Sequence, residues 1–284
     1  MTQQLSELET VRPRRRRRRV TSLTIGLTLV AVLVLTALLA PLLAPFDPNM
    51  QTISARLLPP SAQHWLGTDQ LGRDLLTRVI YGSRYSLLIS VAAMALAVLF
   101  GTLLGLAAAL ARGIVDELLS RAVDVISAFP DLLLALMLIA FTGPGTSNLI
   151  IALGVASVPR FARVVRAQTW RVMTSGYVEQ ARTFGLSRST LILRHILPHA
   201  IAQVPALATL GLGTAIIGTA GLSFLGMGPQ PPTAEWGLML AEGRNYLRNA
   251  WWIAVWPGVF ITLTVIAVNT LGRYWQARFE GGEA

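Results

Sequence analysis

Two residue types are absent from this 284-residue sequence: cysteine and lysine. Without cysteine there is no disulfide, no thiol nucleophile and no cysteine-based metal site. Without lysine there is no Walker A loop, whose lysine must reach the nucleotide phosphates, and no Schiff-base chemistry. If ATP drives this protein, another polypeptide binds it. His-Glu-x-x-His and a serine elbow with a paired base are also missing, so the chain reads as non-catalytic. Charge is scarce too. Only 13% of residues are charged, against about 25% in soluble domains, and no separate soluble domain of about 100 residues fits between the apolar runs.

What is present is apolar: 53% of residues are hydrophobic and mean hydropathy is +0.57. Long uncharged runs predict an all-α polytopic membrane protein with six spans. The first is 20–44, too long for a signal-peptide core. The others lie near 85–111, 122–141, 148–165, 200–224 and 251–271. The corresponding organisation is a basic N-tail (1–19), a first span (20–44), a turn-rich segment between spans (45–82), a five-helix core (83–272) carrying a polar segment at 171–199, and a C-tail (273–284).

All 24 basic residues are arginine. The run Arg14–Arg19 could be a nucleic-acid arm, but it abuts the first apolar stretch, where positive charge marks a cytoplasmic flank. No nucleic acid is therefore expected. With both termini inside, eighteen arginines fall on the cytoplasmic side and six outside. Basic residues resist translocation, so this asymmetry places the polar segment in the cytoplasm.

That segment, "YVEQARTFGLSRSTLILRHILPHA" (Tyr177 to Ala200), is the most unusual stretch. Tyr177, Ala181 and Phe184 follow helical spacing and predict one apolar stripe, with Glu179, Gln180, Arg182 and Thr183 on other faces. Gly185 suits a left-handed helix end and Ser187 an N-cap for a second helix. Such a protrusion either lies on the inner leaflet or docks in a groove on a soluble partner.

Glu179, Ala181, Gly185, Leu197 and Pro198 at this spacing resemble the cytoplasmic "EAA" motif, E-A-A-x3-G-x9-I-x-L-P, of permease subunits in binding-protein-dependent ABC importers. Gln180 replaces the first alanine and His195 the isoleucine. The stretch "HWLGTDQLGRDLLTRVIYGSRYSL", containing Gly67, Thr68, Asp69, Gly72, Arg73 and Asp74, resembles the signature of the C-type permease of the dipeptide/oligopeptide/nickel group. "DVISAFPDLLLAL" and "GLSFLGMGPQPPTAEWGLMLAEGRNYL" are similar to further stretches of that group, whereas "NTLGRYWQARFE" departs from its usual ending.

The resemblance implies a type I ABC importer transmembrane fold in a bacterial inner membrane. It implies a heterodimer with a homologous B-type permease, two ABC ATPase subunits that bind ATP and Mg, and an extracytoplasmic solute-binding protein. This chain itself would hold no cofactor and no metal. The cargo would be a di- or oligopeptide, or a related solute such as chelated nickel. Glu179 to Gly185 would form the coupling helix, with Glu179 at its N-terminus, Gly185 as hinge and Pro198 starting the fifth span.

Several features carry two readings. Asp124 and Asp131 are carboxylates in an apolar run and could serve a proton-coupled carrier, although Pro130 and Asp131 also suit a helix start. Gly101 and Gly105, in "GTLLG", allow close helix contact or are incidental in a glycine-rich span. The small residues of the fifth span line a pathway or pack tightly. Trp251, Trp252 and Trp256 read as an interfacial aromatic belt. His195 and His199 have metal-compatible spacing, but no carboxylate follows to complete a site.

Overall fold

A computed structural model describes residues 12–111 and 113–280 of the chain. Residues 1–11 of the predicted basic tail, Arg112 and residues 281–284 lie outside the described residues. No strand occurs among the described residues, and one β-bridge pairs Thr68 with Asp74.

The helices, in chain order, are α1 (Arg12–Leu38), α2 (Ala40–Leu43), α3 (Leu75–Ala111), α4 (Gly113–Ser127), α5 (Asp131–Thr142), α6 (Thr146–Met173) and α7 (Gly176–Thr183). A short α8 (Arg188–Thr190) runs through a π-helical turn (Leu191–Ile196) into α9 (Leu197–Ala200). Then follow α10 (Val204–Phe224), α11 (Trp236–Gly243) and α12 (Trp252–Glu280). Four of these, α3, α6, α10 and α12, are long and apolar enough to cross a membrane. A fifth candidate is the pair α4 and α5, bent by 88°, and α1 adds a shorter apolar stretch, Gly26–Leu38.

Three expectations change in the structure. The predicted third span (122–141) is not straight. Proline has no N–H to continue a helix and disfavours helical backbone in the residue before it, so Pro130 separates α4 from α5. The stretch left between the predicted second and third spans, around Asp116 to Arg121, is helical and belongs to α4. At the C-terminal end the apolar run ends near Leu271, yet α12 continues to Glu280, because nothing between Gly272 and Glu280 breaks a helix.

The centre of the bundle is α3 lying along α6. Of the two readings of "GTLLG", close contact is the one the geometry supports. A Cβ on Gly101 would stand 2.5 Å from Phe161 Cβ, and one on Gly105 2.5 Å from the Ala162 carbonyl oxygen. In lipid, where the hydrophobic effect does not draw helices together, such close backbone approach supplies the packing attraction. Gly154 on α6 repeats the device in reverse, facing Ala93 and Leu96 of α3. Around this pair, α10 packs on α3 and α12, and α1 lies against α12 with Gly26 facing Thr270.

Candidate functional site

The predicted motif residues fall into two groups at opposite ends of the bundle. At one end, residues 45–74 and 225–251 form a cap over the start of α3. Thr68, Asp69, Arg73 and Asp74 are all buried in it. Asp69 Oδ1 accepts from the backbone N–H groups of Leu71 and Arg73, and its Oδ2 accepts from Arg73 Nε. Arg78, one turn into α3, lies 3.4 Å from the same oxygen and donates to the carbonyls of Pro48 and Pro232. Glu242 of α11 closes the cluster, with Oε2 at 3.2 Å from Arg73 and 3.4 Å from Arg78. Two guanidinium groups and two carboxylates therefore neutralise one another out of water, the condition under which buried charge is tolerated.

Asp74 caps α3: its Oδ2 accepts from both the N–H and the hydroxyl of Thr77, each at 2.8 Å. Its other oxygen meets His64 Nδ1 at 2.9 Å. The glycines of the motif are sterically required. Gly67 (φ +84°) and Gly72 (φ +72°) adopt left-handed backbone, which favours glycine. A Cβ at Gly72 would also collide with the Thr52 carbonyl.

The tryptophan belt is corrected here. Trp252 is buried and its Nε1 donates to the Thr68 carbonyl, while Trp251 remains exposed. An amphipathic ring satisfies a buried carbonyl as well as it satisfies an interface, and the sequence does not distinguish the two.

Glu235 escapes notice in the sequence because glutamate is not a favoured N-cap. It is fully buried, and its carboxylate accepts from Gly237 N–H, Leu238 N–H and the Ser86 hydroxyl, capping α11. Burial pushes this carboxyl above its ordinary range, with the N–H donors of Gly237 and Leu238 opposing the shift.

At the other end, α7 and the α8–α9 helix protrude. Ser175 precedes α7, and Glu179 sits in its first turn, where a carboxylate is favoured. Glu179 and Gln180 are exposed and Ala181 is buried. Gly185 has φ +77°, and a Cβ added to it would meet nothing within 4 Å, so it is there for conformation rather than space. Ser187 Oγ accepts from Thr190 N–H, as an N-cap does.

The predicted apolar stripe is split: Ala181 is covered, and its two large members are not. Val178 and Ala181 are buried against Leu191 and Ile196, whereas Tyr177 and Phe184 are 42% and 82% exposed. Leu193, 62% exposed, joins them on the outside. The helix covers its small residues and presents its large ones. The reading of Pro198 is corrected as well: it lies in α9, and the fifth span begins at Val204 after a break at 201–203. Leu197 stands beside it in the first turn of α9.

The remaining candidates are dispersed. Asp124 pairs with Arg163 at 3.1 Å on the surface. Asp131 is exposed at the start of α5, where the bend occurs. A stronger pair, which no sequence motif singles out, joins Asp116 of α4 to Arg166 of α6 through two hydrogen bonds of 2.6 and 2.8 Å. His199 Nδ1 lies 3.0 Å from the His195 carbonyl and its ring meets that of Tyr177 at a tilt, with centroids 5.5 Å apart. Among the described residues no three potential metal ligands come together.

Comparison with known proteins gives a consistent result. Residues 101–282 match the model of the binding-protein-dependent transport system inner membrane component, and residues 14–60 that of the N-terminal TM domain of oligopeptide transport permease C. A di/tripeptide transport system permease protein of Pseudomonas aeruginosa is 41% identical over 253 residues, 87% of this chain and 84% of the relative. A dipeptide transport system permease protein of Alkalihalophilus pseudofirmus is 40% identical over 248 residues, 87% and 82% of the two chains. A glutathione transport system permease protein of Escherichia coli is 44% identical over 213 residues, 75% and 70%.

Among solved structures, inward-facing conformations of a methionine ABC transporter align with TM-score 0.58 at 20% identity, covering 72% of this chain and 97% of that one. An amino acid ABC transporter crystallised with histidines aligns with TM-score 0.58 at 18% identity, covering 72% and 94%. At these identities the likeness is one of fold.

Proposed function

Because the chain belongs to the inner-membrane components of binding-protein-dependent transport systems, we propose that it forms one half of the membrane pathway of an ATP-driven importer of short peptides. The observation that carries this reading is the long match to permeases named for dipeptides, di- and tripeptides and glutathione. All of these cargoes are peptides of two or three residues. The proton-coupled alternative built on Asp124 or Asp131 gains nothing from these matches, and Asp124 is occupied by Arg163.

In this reading α1 completes a set of six spans with both termini in the cytoplasm. The cap then faces outward, where a solute-binding protein delivers cargo, and the α7–α9 protrusion faces the ATPase subunits, which bind ATP and Mg. A homologous B-type permease supplies the other half of the pathway. The exposed Tyr177, Phe184 and Leu193 suit a docking helix, because an apolar face without a partner in the free chain is costly in water. Glu179, Gln180 and Ala181 belong to that helix, Gly185 turns the chain back, and Leu197 and Pro198 end the returning helix near the fifth span. ATP-driven closure of the ATPase pair moves this unit as a body, provided that ATP favours one arrangement over the other.

The test is reconstitution of the four-subunit complex with its binding protein in sealed vesicles. ATP-dependent uptake of a labelled dipeptide is expected, and none from the chain without its ATPase partners. Uptake that persists without them would return the protein to the secondary carriers. Tags at Thr2 and Ala284 are expected to be protected in sealed cells, and labelling of either from outside would overturn the orientation.

A further inference from the structure

A cavity of about 370 Å³ lies between the protruding segment and the ends of two spans. Leu110 of α3, Met173 of α6, and Leu191 and Ile196 of the π-helical turn make it apolar. Arg182 and Arg188 stand in its lining, and no carboxylate does. Arg188 uses one N–H on the Leu110 carbonyl at 3.4 Å, and both side chains are exposed. The guanidinium of Arg182 has no partner among the described residues. Two uncompensated guanidinium groups over an apolar cavity form a site for an amphipathic anion, and arginine forks match phosphate oxygens in pairs.

The depth of the cavity identifies the source of that anion. The polar contacts of α3 with the cap extend to Ser86, which donates to Glu235. From there a hydrocarbon layer of about 30 Å takes about twenty residues at 1.5 Å each. That count ends near Leu106, so Leu110 lies about 6 Å beyond it, at headgroup level. We propose that this cavity binds an anionic phospholipid of the inner leaflet, with its phosphate on Arg182 and Arg188 and the upper part of one acyl chain against the apolar wall. The cavity, about 370 Å³, takes the upper part of a chain and leaves the rest in the bilayer. Basic pockets at the cytoplasmic ends of membrane helices bind anionic headgroups in this manner. Tyr177, Phe184 and Leu193, the large apolar residues offered to a soluble partner, are not among those lining the cavity, so lipid and partner occupy different faces. The site rests on the functional reading above only for which end faces the cytoplasm.

The test is native mass spectrometry of the assembled transporter purified in detergent. The wild type is expected to retain about one anionic phospholipid attributable to this site, and no zwitterionic one. The double variant Arg182→Gln/Arg188→Gln is expected to lower that retention at least about tenfold. Ala111→Trp, which fills the cavity without changing charge, is expected to lower it similarly. Equal retention of zwitterionic lipid, or unchanged retention in both variants, would overturn the site. Displacement of the lipid by millimolar inorganic phosphate would assign the site to a soluble anion instead. Retention only after the ATPases are stripped away would show that a protein fills the cavity in the working complex. Because lipid is weighed without any transport, a wild type that retains it but takes up no peptide would sink the proposed function and leave this site standing.

Discussion

The two ends of the molecule solve opposite problems with the same residue types. At the cap, Asp69, Arg73, Arg78 and Glu242 spend their charge on one another and on backbone groups, and almost none of it is accessible. At the protrusion, Glu179, Arg182 and Arg194 are exposed and have no ion-pair partner among the described residues. Closed networks fix geometry, because removing any member leaves another group buried and unpaired. Open charges fix nothing by themselves and remain available to another molecule. The cap is thus built as a rigid platform and the protrusion as a contact awaiting its partner.

The contrast can be broken most forcefully at the cap. Asp69→Ala should cost about 3–5 kcal/mol, since it leaves Arg73 and Arg78 buried with Glu242 as their one remaining carboxylate, and it should appear as a large fall in thermal unfolding temperature and in membrane yield. A variant as stable as wild type would show that the network is ornamental. At the other end, Glu179→Arg should abolish ATP-dependent uptake while yield and unfolding temperature stay near wild type, because its side chain is exposed. Gly185→Arg should abolish uptake too, with a fall of about 1–3 kcal/mol in stability because arginine is strained at φ +77°. Unimpaired uptake would remove the coupling role from this helix.

Glu235 sharpens the comparison through pH. Its folded carboxyl titrates above the ordinary value of 4.5 because of burial, so its contribution is complete below that value. It is lost as pH rises from about 4.5 through the folded pKa. Thermal unfolding followed between pH 4 and pH 8 should show this loss, and Glu235→Gln should flatten the profile. A profile identical in the two proteins would mean that the carboxyl is not the group responsible. The smallest effect is expected at Asp124→Asn, which removes an exposed pair worth at most about 1 kcal/mol. A large loss of uptake there would reopen the proton-site reading.

How legible these ends were in the sequence follows from the physics of each. Gly185 and Ser187 could be placed because local backbone chemistry, a positive φ and an N-cap, decides their roles. The apolar stripe of α7 could not. Periodicity reveals a face but not which of two apolar faces is covered, and Val178 with Ala181 fits beneath the helix where Tyr177 and Phe184 do not. The bend at Pro130 was foreshadowed by the proline, but its 88° angle depends on where α4 packs, and the Asp116–Arg166 pair that anchors α4 joins residues fifty apart. Trp252 and Glu235 were illegible for the same reason: their partners, Thr68 and Ser86, are more than a hundred residues away. The family resemblance was carried by motif spacing, and so it survived every one of these local revisions.

One consequence of α3 concerns force rather than chemistry. It runs unbroken for 37 residues from its Asp74 cap to the cavity beside the protrusion, a length of about 55 Å. A proline lies inside α6 at Pro159 and inside α12 at Pro257, but α3 contains none. A rod without a proline joint transmits displacement better than it absorbs it. A load placed on the cap would travel along α3 to the cavity end, and the joints lie elsewhere, at the 88° bend between α4 and α5, at the break before α10 and in the helices that contain proline.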